Sequence, residues 1–578
     1  MLQSATRFRL IKGLQMNALK TIFVILLVLP GLAETAKALD ITVTSTLDFA
    51  EVDAGIGRED SYTCGFTVGT GAIFQAAPNG ICTLRRAVLE AGVRPDSDRP
   101  INIVFDIPDT DPNYDPVLDL WEVQIDSSFI WEIERDSVFD DGGQVTIDGF
   151  SQPTGRNSGP RIMINTNSEN NPNFGRSLEI RTSNNVVRGV GFKGGGQIIL
   201  YEGDNVVENV WMGLTNDGLA LSLASDVSAQ ARRSMARGGI SMPNEESDRN
   251  IIRNNIILGA SERAITITSG GDDNQIRNNL IGINADGVVP IAGSIDCTRD
   301  LDYDPSLWYG GRGIRVTGTD NRIEGNVIAG LHVTQSTNDT PPIAMEISGV
   351  NNLVTGNTIG IDLKGGQIGV CGQGMLLQGT EGVVTDNRLF FSRNGFDPGD
   401  VGTEFDTAIQ MQSFSGQGTG DPDRWMRVWN NIIDGGDFNE ANFHAYRFAG
   451  PAVPIAMRQF VPARVTSIDL FTVSGTNGDP LPAGESTFCP NCTIYLYLDD
   501  DDDRIEAFEL LGTATADASG NWTTTINRLL AGNEGIRTQS ESNAPDVMHI
   551  YDAQTTTRLS DDLYMDPSPE LVFSDSFE

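Results

Sequence analysis

Asn250-Ile251-Ile252-Arg253-Asn254-Asn255-Ile256-Ile257 returns a short interval later as Asn274-Gln275-Ile276-Arg277-Asn278-Asn279-Leu280-Ile281. It comes back as Asn321-Arg322-Ile323-Glu324-Gly325-Asn326-Val327-Ile328 and as Asn352-Leu353-Val354-Thr355-Gly356-Asn357-Thr358-Ile359. Gly382-Val383-Val384-Thr385-Asp386-Asn387-Arg388-Leu389 is a weaker copy, and Val428-Trp429-Asn430-Asn431-Ile432-Ile433 keeps the second half. Asn185 to Gly189 and Asn205 to Asn209 are degenerate members. Short alternating segments precede most copies, among them Ala264-Ile265-Thr266-Ile267-Thr268 and Ala344-Met345-Glu346-Ile347-Ser348. Alternation of period two marks half-buried strands, whereas amphipathic helices place apolar residues three and four apart. None of these segments is long enough to bury a core alone. Stacked as coils, each strand beside its equivalent in the next coil, they enclose a continuous apolar interior.

The recurring asparagines have a physical place in such a stack. Asn tolerates the left-handed backbone that tight corners require, and its amide bonds to an equivalent amide one coil away. Asn255, Asn279, Asn326, Asn357, Asn387 and Asn431 are therefore expected to form the corners. The competing reading, sugar binding by this column, explains its one-corner placement less directly. Asn255 and Asn279 are one coil apart, but the longer step from Asn279 to Asn326 must hold an extra coil or a long loop.

These repeats resemble those of pectate-lyase-like proteins, including Asn357-Thr358-Ile359-Gly360-Ile361-Asp362-Leu363-Lys364-Gly365. The resemblance implies an all-β chain, a right-handed parallel β-helix (a solenoid) over 145–450. Cys82-Thr83-Leu84-Arg85-Arg86-Ala87 is similar to the Cys-Ser-Leu-Arg-Glu-Ala signature of the CSLREA domain, with Thr83 for Ser and Arg86 for Glu. That domain commonly opens secreted β-helix proteins, so 39–144 is expected to cap the solenoid. Enzymes, adhesins and inert surface proteins share this architecture, so the resemblance points to a fold more than to an activity.

The N-terminus has the layout of a secretory signal peptide over 1–38. Basic Arg7, Arg9, Lys12 and Lys20 precede the apolar run Ile22 to Leu29, and Ala36-Lys37-Ala38 offers a small-x-small cleavage site. The run is too short to span a bilayer, which takes about 20 residues. Export through the Sec pathway follows, to the medium or the outer cell surface, with no transmembrane segment in the mature chain. A net charge of -38 excludes nucleic acid as a partner, because phosphate contacts need clustered Lys and Arg. The cysteines fall into local pairs, Cys64 with Cys82, Cys297 with Cys371 and Cys489 with Cys492, and disulfides suit an oxidising compartment. Zinc at Cys489 and Cys492 would need further ligands, and His332, His444 and His549 are the only histidines.

Beyond residue 461 the pattern changes. Ile468 to Val473, Thr493 to Leu498 and Leu511 to Ala516 alternate as strands, with Ala518-Ser519-Gly520-Asn521-Trp522 as a turn. Short strands separated by turns fit a small β-sandwich. The stretch 461–555 resembles bacterial Ig-like domains, and 556–578 is left as a C-terminal tail. Asp499 to Asp503 is a run of carboxylates between strands, and Asp499, Asp501 and Asp503 are candidate calcium ligands, a solvated acidic loop being the plainer alternative.

Chemistry on a β-helix is expected under long loops between coils. The insertion between Asn279 and Asn326 holds Asp296, Asp300, Asp302 and Asp304, then Trp308, Tyr309, Arg312 and Arg315. Asp300, Asp302, Asp304 and Arg312 are the candidate catalytic residues, and the same three carboxylates could hold calcium. Trp308, Tyr309 and, in a second cluster with Asp421, Asp423 and Arg424, Trp425 could stack on sugar rings. Arg232, Arg233 and Arg237 form a basic cluster in a further insertion. Nothing resembles a serine nucleophile motif, a phosphate-binding glycine loop or a His-rich zinc helix. The leading expectation is an exported β-helix protein that meets a polysaccharide or a cell-surface glycan without chemistry. The alternative is a polysaccharide lyase or glycoside hydrolase with its groove beside 290–315.

Overall fold

A computed structural model describes residues 38–47, 62–67, 75–77, 79–125, 131–133, 142–165, 177–193, 196–222, 239–260, 263–268, 270–290, 312–331, 343–371, 373–390, 392–393, 407–412, 426–435, 444–449, 462–477, 489, 491–502, 505–541 and 563–565. Successive coils of the right-handed parallel β-helix give short strands to three long sheets, of 11, 11 and 10 strands, the second ending in the antiparallel strand Tyr114–Asp115. One turn shows the plan. Ile251–Arg253 lies in the first sheet, Ile256–Ile257 in the second and Ile265–Ile267 in the third. Gln275–Arg277 then returns to the first sheet, Ile252 pairing in parallel with Ile276. The central side chain of each first-sheet strand points inward. Val187, Val207, Ile252, Ile276, Ile323, Val354, Val384 and Val428 stack in register as one fully buried column. Each such side chain contributes roughly 1.5–3 kcal/mol by leaving water.

Asparagine ladders close both corners of the first sheet. At the corner after it, the Asn255 backbone N–H donates to Asn279 Oδ1 (3.1 Å), Asn279 to Asn326 (3.0 Å) and Asn326 to Asn357 (2.9 Å). Asn357 and Asn387 continue the series to Asn431. Each Nδ2 also reaches back to a carbonyl of the preceding coil, as Asn326 does to Ile276 (2.9 Å). The corner before the sheet has its own ladder, Asn185, Asn205, Asn250, Asn274, Asn321 and Asn352, which the sequence reading did not assign a role. Both columns are buried.

One expectation is corrected here. The ladder asparagines are not the left-handed residues. Positive φ belongs to the residue before each, at Asn254, Asn278, Gly325, Gly356, Asp386 and Asn430. The turn residue points its side chain away from the core, which leaves the following Asn free to face inward and bond. The long step from Asn279 to Asn326 is also settled: Gln275–Arg277 pairs directly with Arg322–Glu324, so it holds a loop and no extra coil.

The first sheet begins before Val145, since Leu39–Val43 and Ile101–Phe105 are its opening rungs. Beside them lies a helix absent from the sequence reading, α1 (Leu84–Val93), begun where Thr83 Oγ1 accepts the Arg86 N–H. Leu84, Ala87, Val88 and Ala91, at helical spacing, pack in one cluster with Val43, Ile101 and Val145. The helix thus covers the open end of the core. Disulfides join Cys64 to Cys82 and Cys489 to Cys492. Cys297 lies outside the described residues, and only the backbone of Cys371 is described.

Past the solenoid come two antiparallel sheets. Arg464–Asp469, Thr472–Thr476 and Asn521–Thr525 form one; Thr493–Asp500, Glu509–Thr515, Glu534–Glu541 and Tyr564–Met565 form the other. Thr493–Asp500 is apolar on both faces. Ile494, Leu496 and Leu498 enter a core with Val473, Leu511 and Trp522, while Tyr495 and Tyr497 enter the solenoid's core.

The ladder makes a measurable demand. Asn326→Leu strands partners on both neighbouring coils and should cost about 3 kcal/mol or more, since each buried unpaired group costs about 1–3 kcal/mol. Asn278→Ala, one step outside the ladder at positive φ, should cost only about 1–2 kcal/mol. Asn278→Gly should be close to neutral. Urea unfolding of the three variants tests the order.

Candidate functional site

Long insertions break the coils at two kinds of place, one of them, 413–425, between the third-sheet strand Thr407–Gln412 and the first-sheet strand Arg427–Trp429. Residues 223–238, 291–311 and 332–342 all fall between a second-sheet strand and the following third-sheet strand. Their described flanks therefore lie along one edge of the third sheet. On the outer face of that sheet one column runs in register through successive coils: Glu179, Ile199, Ser241, Thr266, Arg315, Glu346, Leu376 and Gln410. Rungs of a sheet lie about 4.8 Å apart, so neighbours in the column are in side-chain reach.

The middle of the column is polar and partly covered. Arg315 Nε lies 3.2 Å from Glu346 Oε1, with the two side chains 30% and 14% exposed. Arg263, two residues before the strand Ile265–Ile267, approaches the other oxygen of Glu346 at 3.9 Å. Among the described residues the Thr266 hydroxyl is buried without a hydrogen-bond partner. Glu179 pairs with Arg181 at 2.8 Å towards one end, and Gln373 bonds Gln410 towards the other. Guanidinium, carboxylate, hydroxyl and carboxamide groups along one sheet face can bind a polyhydroxylated or charged ligand through several directional bonds.

The structure brings some predicted residues here. Arg312 sits at the foot of Ile314–Val316, its carbonyl accepting the Ala264 N–H, and Arg315 is central to the column. Asp300, Asp302, Asp304, Trp308, Tyr309 and Trp425 lie outside the described residues. Glu346 was not singled out from the sequence. Its signal was present in Ala344-Met345-Glu346-Ile347-Ser348, where an outward acid alternates with buried Met345 and Ile347.

No family model matches the sequence, and no curated protein does. Solved structures with a similar course include an alginate lyase, AlyF-OU02 with G6, at 13% identity over 56% of this chain and 67% of that one, TM-score 0.29. The Azotobacter vinelandii mannuronan C-5 epimerase AlgE4 A-module gives 13% identity, 60% and 82% coverage and TM-score 0.27. The tailspike protein of E. coli bacteriophage HK620 with pentasaccharide gives 11%, 76% and 80%, and 0.29. Similarity this distant carries nothing about what the chain binds or does.

The acidic loop differs from its expected form. Asp499, Asp500 and Glu506 offer oxygens within 4.8 Å of one another, while Asp501 is exposed and outside this group. Asp503 lies beyond the described residues. Asp499 is fully buried and already ion-paired with Arg537, because the strand turns its side chain to the sheet face that Arg537 shares. One of the three proposed calcium ligands, Asp499, thus already has a guanidinium partner. Burial pushes Asp499 up to about 6, against the pull of Arg537. Burial pushes Glu506 up to about 8, with Asp499, Asp502 and Asp434 adding to it and the Gly435 N–H opposing.

A raised carboxyl means that the folded state holds a proton which the unfolded chain releases at its ordinary value of 4.5. Glu506 therefore favours folding least at high pH: its contribution is intact below about 4.5 and lost as the pH rises through about 8. Thermal unfolding at pH 5, 7 and 9 should show this part of the chain melting earlier as pH rises. Glu506→Gln should flatten that dependence.

Proposed function

We propose that this chain is an exported β-helix protein that binds a polysaccharide or cell-surface glycan on the outer face of its third sheet. The observation that supports it is convergence: the flanks of three long insertions lie along one edge, and the column beside them centres on Arg315 and Glu346. Loops borne by a rigid sheet are where binding residues concentrate. Trp308 and Tyr309, in the insertion that rejoins the coil at Arg312, would supply stacking faces, and Trp425, ahead of the first-sheet strand Arg427–Trp429, a further one. The CSLREA-like start over 39–144 and an Ig-like β-sandwich over 461–555 belong to this reading of an exported surface protein.

A lyase or hydrolase is the second reading, favoured by one fact. The insertion that carries Asp300, Asp302 and Asp304 rejoins the coil at Arg312, next to the Arg315–Glu346 pair. An acid and a base acting on a glycosidic link would need to converge there. Calcium, if used, would be held by those three aspartates and would neutralise a substrate carboxylate.

The mature protein should be tested for binding and for reducing-end release on a panel of acidic and neutral polysaccharides, with calcium and with chelator. Retention of at least one polymer without release is expected, and Arg315→Ala should weaken it tenfold or more. Calcium-dependent release abolished by Asp302→Ala would replace binding with catalysis. A folded sample that neither binds nor cleaves any polymer would overturn both readings.

A further inference from the structure

The last coil ends in groups that every earlier coil satisfies with its successor. In the solenoid interior, the central carbonyl of a first-sheet strand accepts from the ladder Asn of the next coil, as Val354 does from Asn387 (3.0 Å) and Val384 from Asn431 (3.0 Å). The left-handed corner N–H donates to a carbonyl of the next coil, as Gly325 does to Thr355 (3.1 Å) and Asp386 to Asn430 (3.0 Å). Second-sheet strands pair with their equivalents, as Leu389 does with Ile433. After Asn431 the repeat has no further copy, so Val428, Asn430 and Ile433 face an open edge.

The C-terminal sheets fill each of these places with a different residue. Val428 O accepts from Gln539 Nε2 (2.7 Å), a carboxamide where the next ladder Asn would be. The Asn430 N–H donates to the Tyr497 hydroxyl (2.8 Å), which stands for the next coil's carbonyl, and that hydroxyl donates to Gln539 Oε1 (3.2 Å). The chain of donors is closed, which fixes the direction of the Gln539 amide. Ile433 exchanges two backbone bonds of 2.9 Å with Ala507, and the Gly435 N–H donates to Glu506. Tyr495, Tyr497 and Ala507 complete the apolar interior, and all three are buried. Arg427 pairs with Glu541 at the rim (3.5 Å).

We infer that the C-terminal unit is a surrogate coil, an end cap that occupies the strand-adding edge of the last rung and denies it to a second copy of this chain. A second copy is the natural rival, because each rung is by construction complementary to another rung of the same repeat. Gln539 and Tyr497 are the residues that make the imitation. They come from adjacent antiparallel strands, on the face turned away from that unit's own core.

The test uses Gln539→Met and Tyr497→Phe, separately and together, in the full chain. Gln539→Met keeps length and loses the donor; Tyr497→Phe keeps the ring and loses the hydroxyl. Hydrogen–deuterium exchange over 426–435 should quicken tenfold or more in the double variant, while 251–281 keeps its protection. Light scattering after size exclusion should then show association that grows with concentration. Unchanged exchange over 426–435, or equal loosening along the whole solenoid, would overturn the surrogate role. Local loosening in a chain that stays monomeric at every concentration would overturn the exclusion of a second copy.

Discussion

Everything in this structure depends on one constraint: each coil must hand its buried corner amides and carbonyls to the next coil. Strand pairing satisfies the backbone along each rung, but a corner buried against its neighbours has no strand to pair with. Asparagine answers this with a side chain that is both donor and acceptor and matches the peptide group in size. Two such columns bracket the first sheet, and their bonds hold within 2.8–3.1 Å. A shift by one residue would empty the ladder and turn Val354 or Ile323 outward, so the register is fixed twice.

That constraint also distributes variation. A loop inserted beside a ladder would separate groups that must touch, whereas among the described residues the corner between the second and third sheets carries no asparagine ladder. Three of the long excursions, 223–238, 291–311 and 332–342, fall there, while 413–425 falls ahead of the first sheet, where Met426 stands in place of a ladder Asn. The turns leading into the first sheet carry exposed ion pairs such as Arg249 with Asp204 that contribute little to stability. The third sheet gains an outer face bordered by the points where those three excursions leave and rejoin the coils. Architecture and candidate site are thus linked: the rule that makes the solenoid regular decides where it is free to be irregular.

How far the sequence could be read follows the same division. The ladder column at Asn255 to Asn431 and the alternating strands were legible because they recur, and recurrence survives a single sequence. The second ladder was equally visible at Asn250, Asn274, Asn321 and Asn352, which open the same phrase, yet only the second Asn of each phrase was given a role. The exchange of roles between Asn278 and Asn279 was not legible, since both are Asn and only backbone geometry separates them. Helix α1 occurs once and was hidden by a signature read as a name instead of a periodicity. Arg312 and Arg315 were found because their insertion is conspicuous. Glu346 was missed because its partnership with Arg315 crosses coils of unequal length. The role of Gln539 could not be foreseen at all, as it imitates the repeat without sharing its phrase.

Ladder steps of 24, 47, 31, 30 and 44 residues all close with the same bond geometry. A coil here behaves as a heritable module. Recombination between two ladder asparagines would delete or duplicate a turn and leave its flanks matched, whatever loop the turn carries. Such a gene can lengthen, shorten or exchange its decorated turns without inventing a new core. Only the two ends, where α1 and the C-terminal sheets meet unique partners, are closed to that traffic.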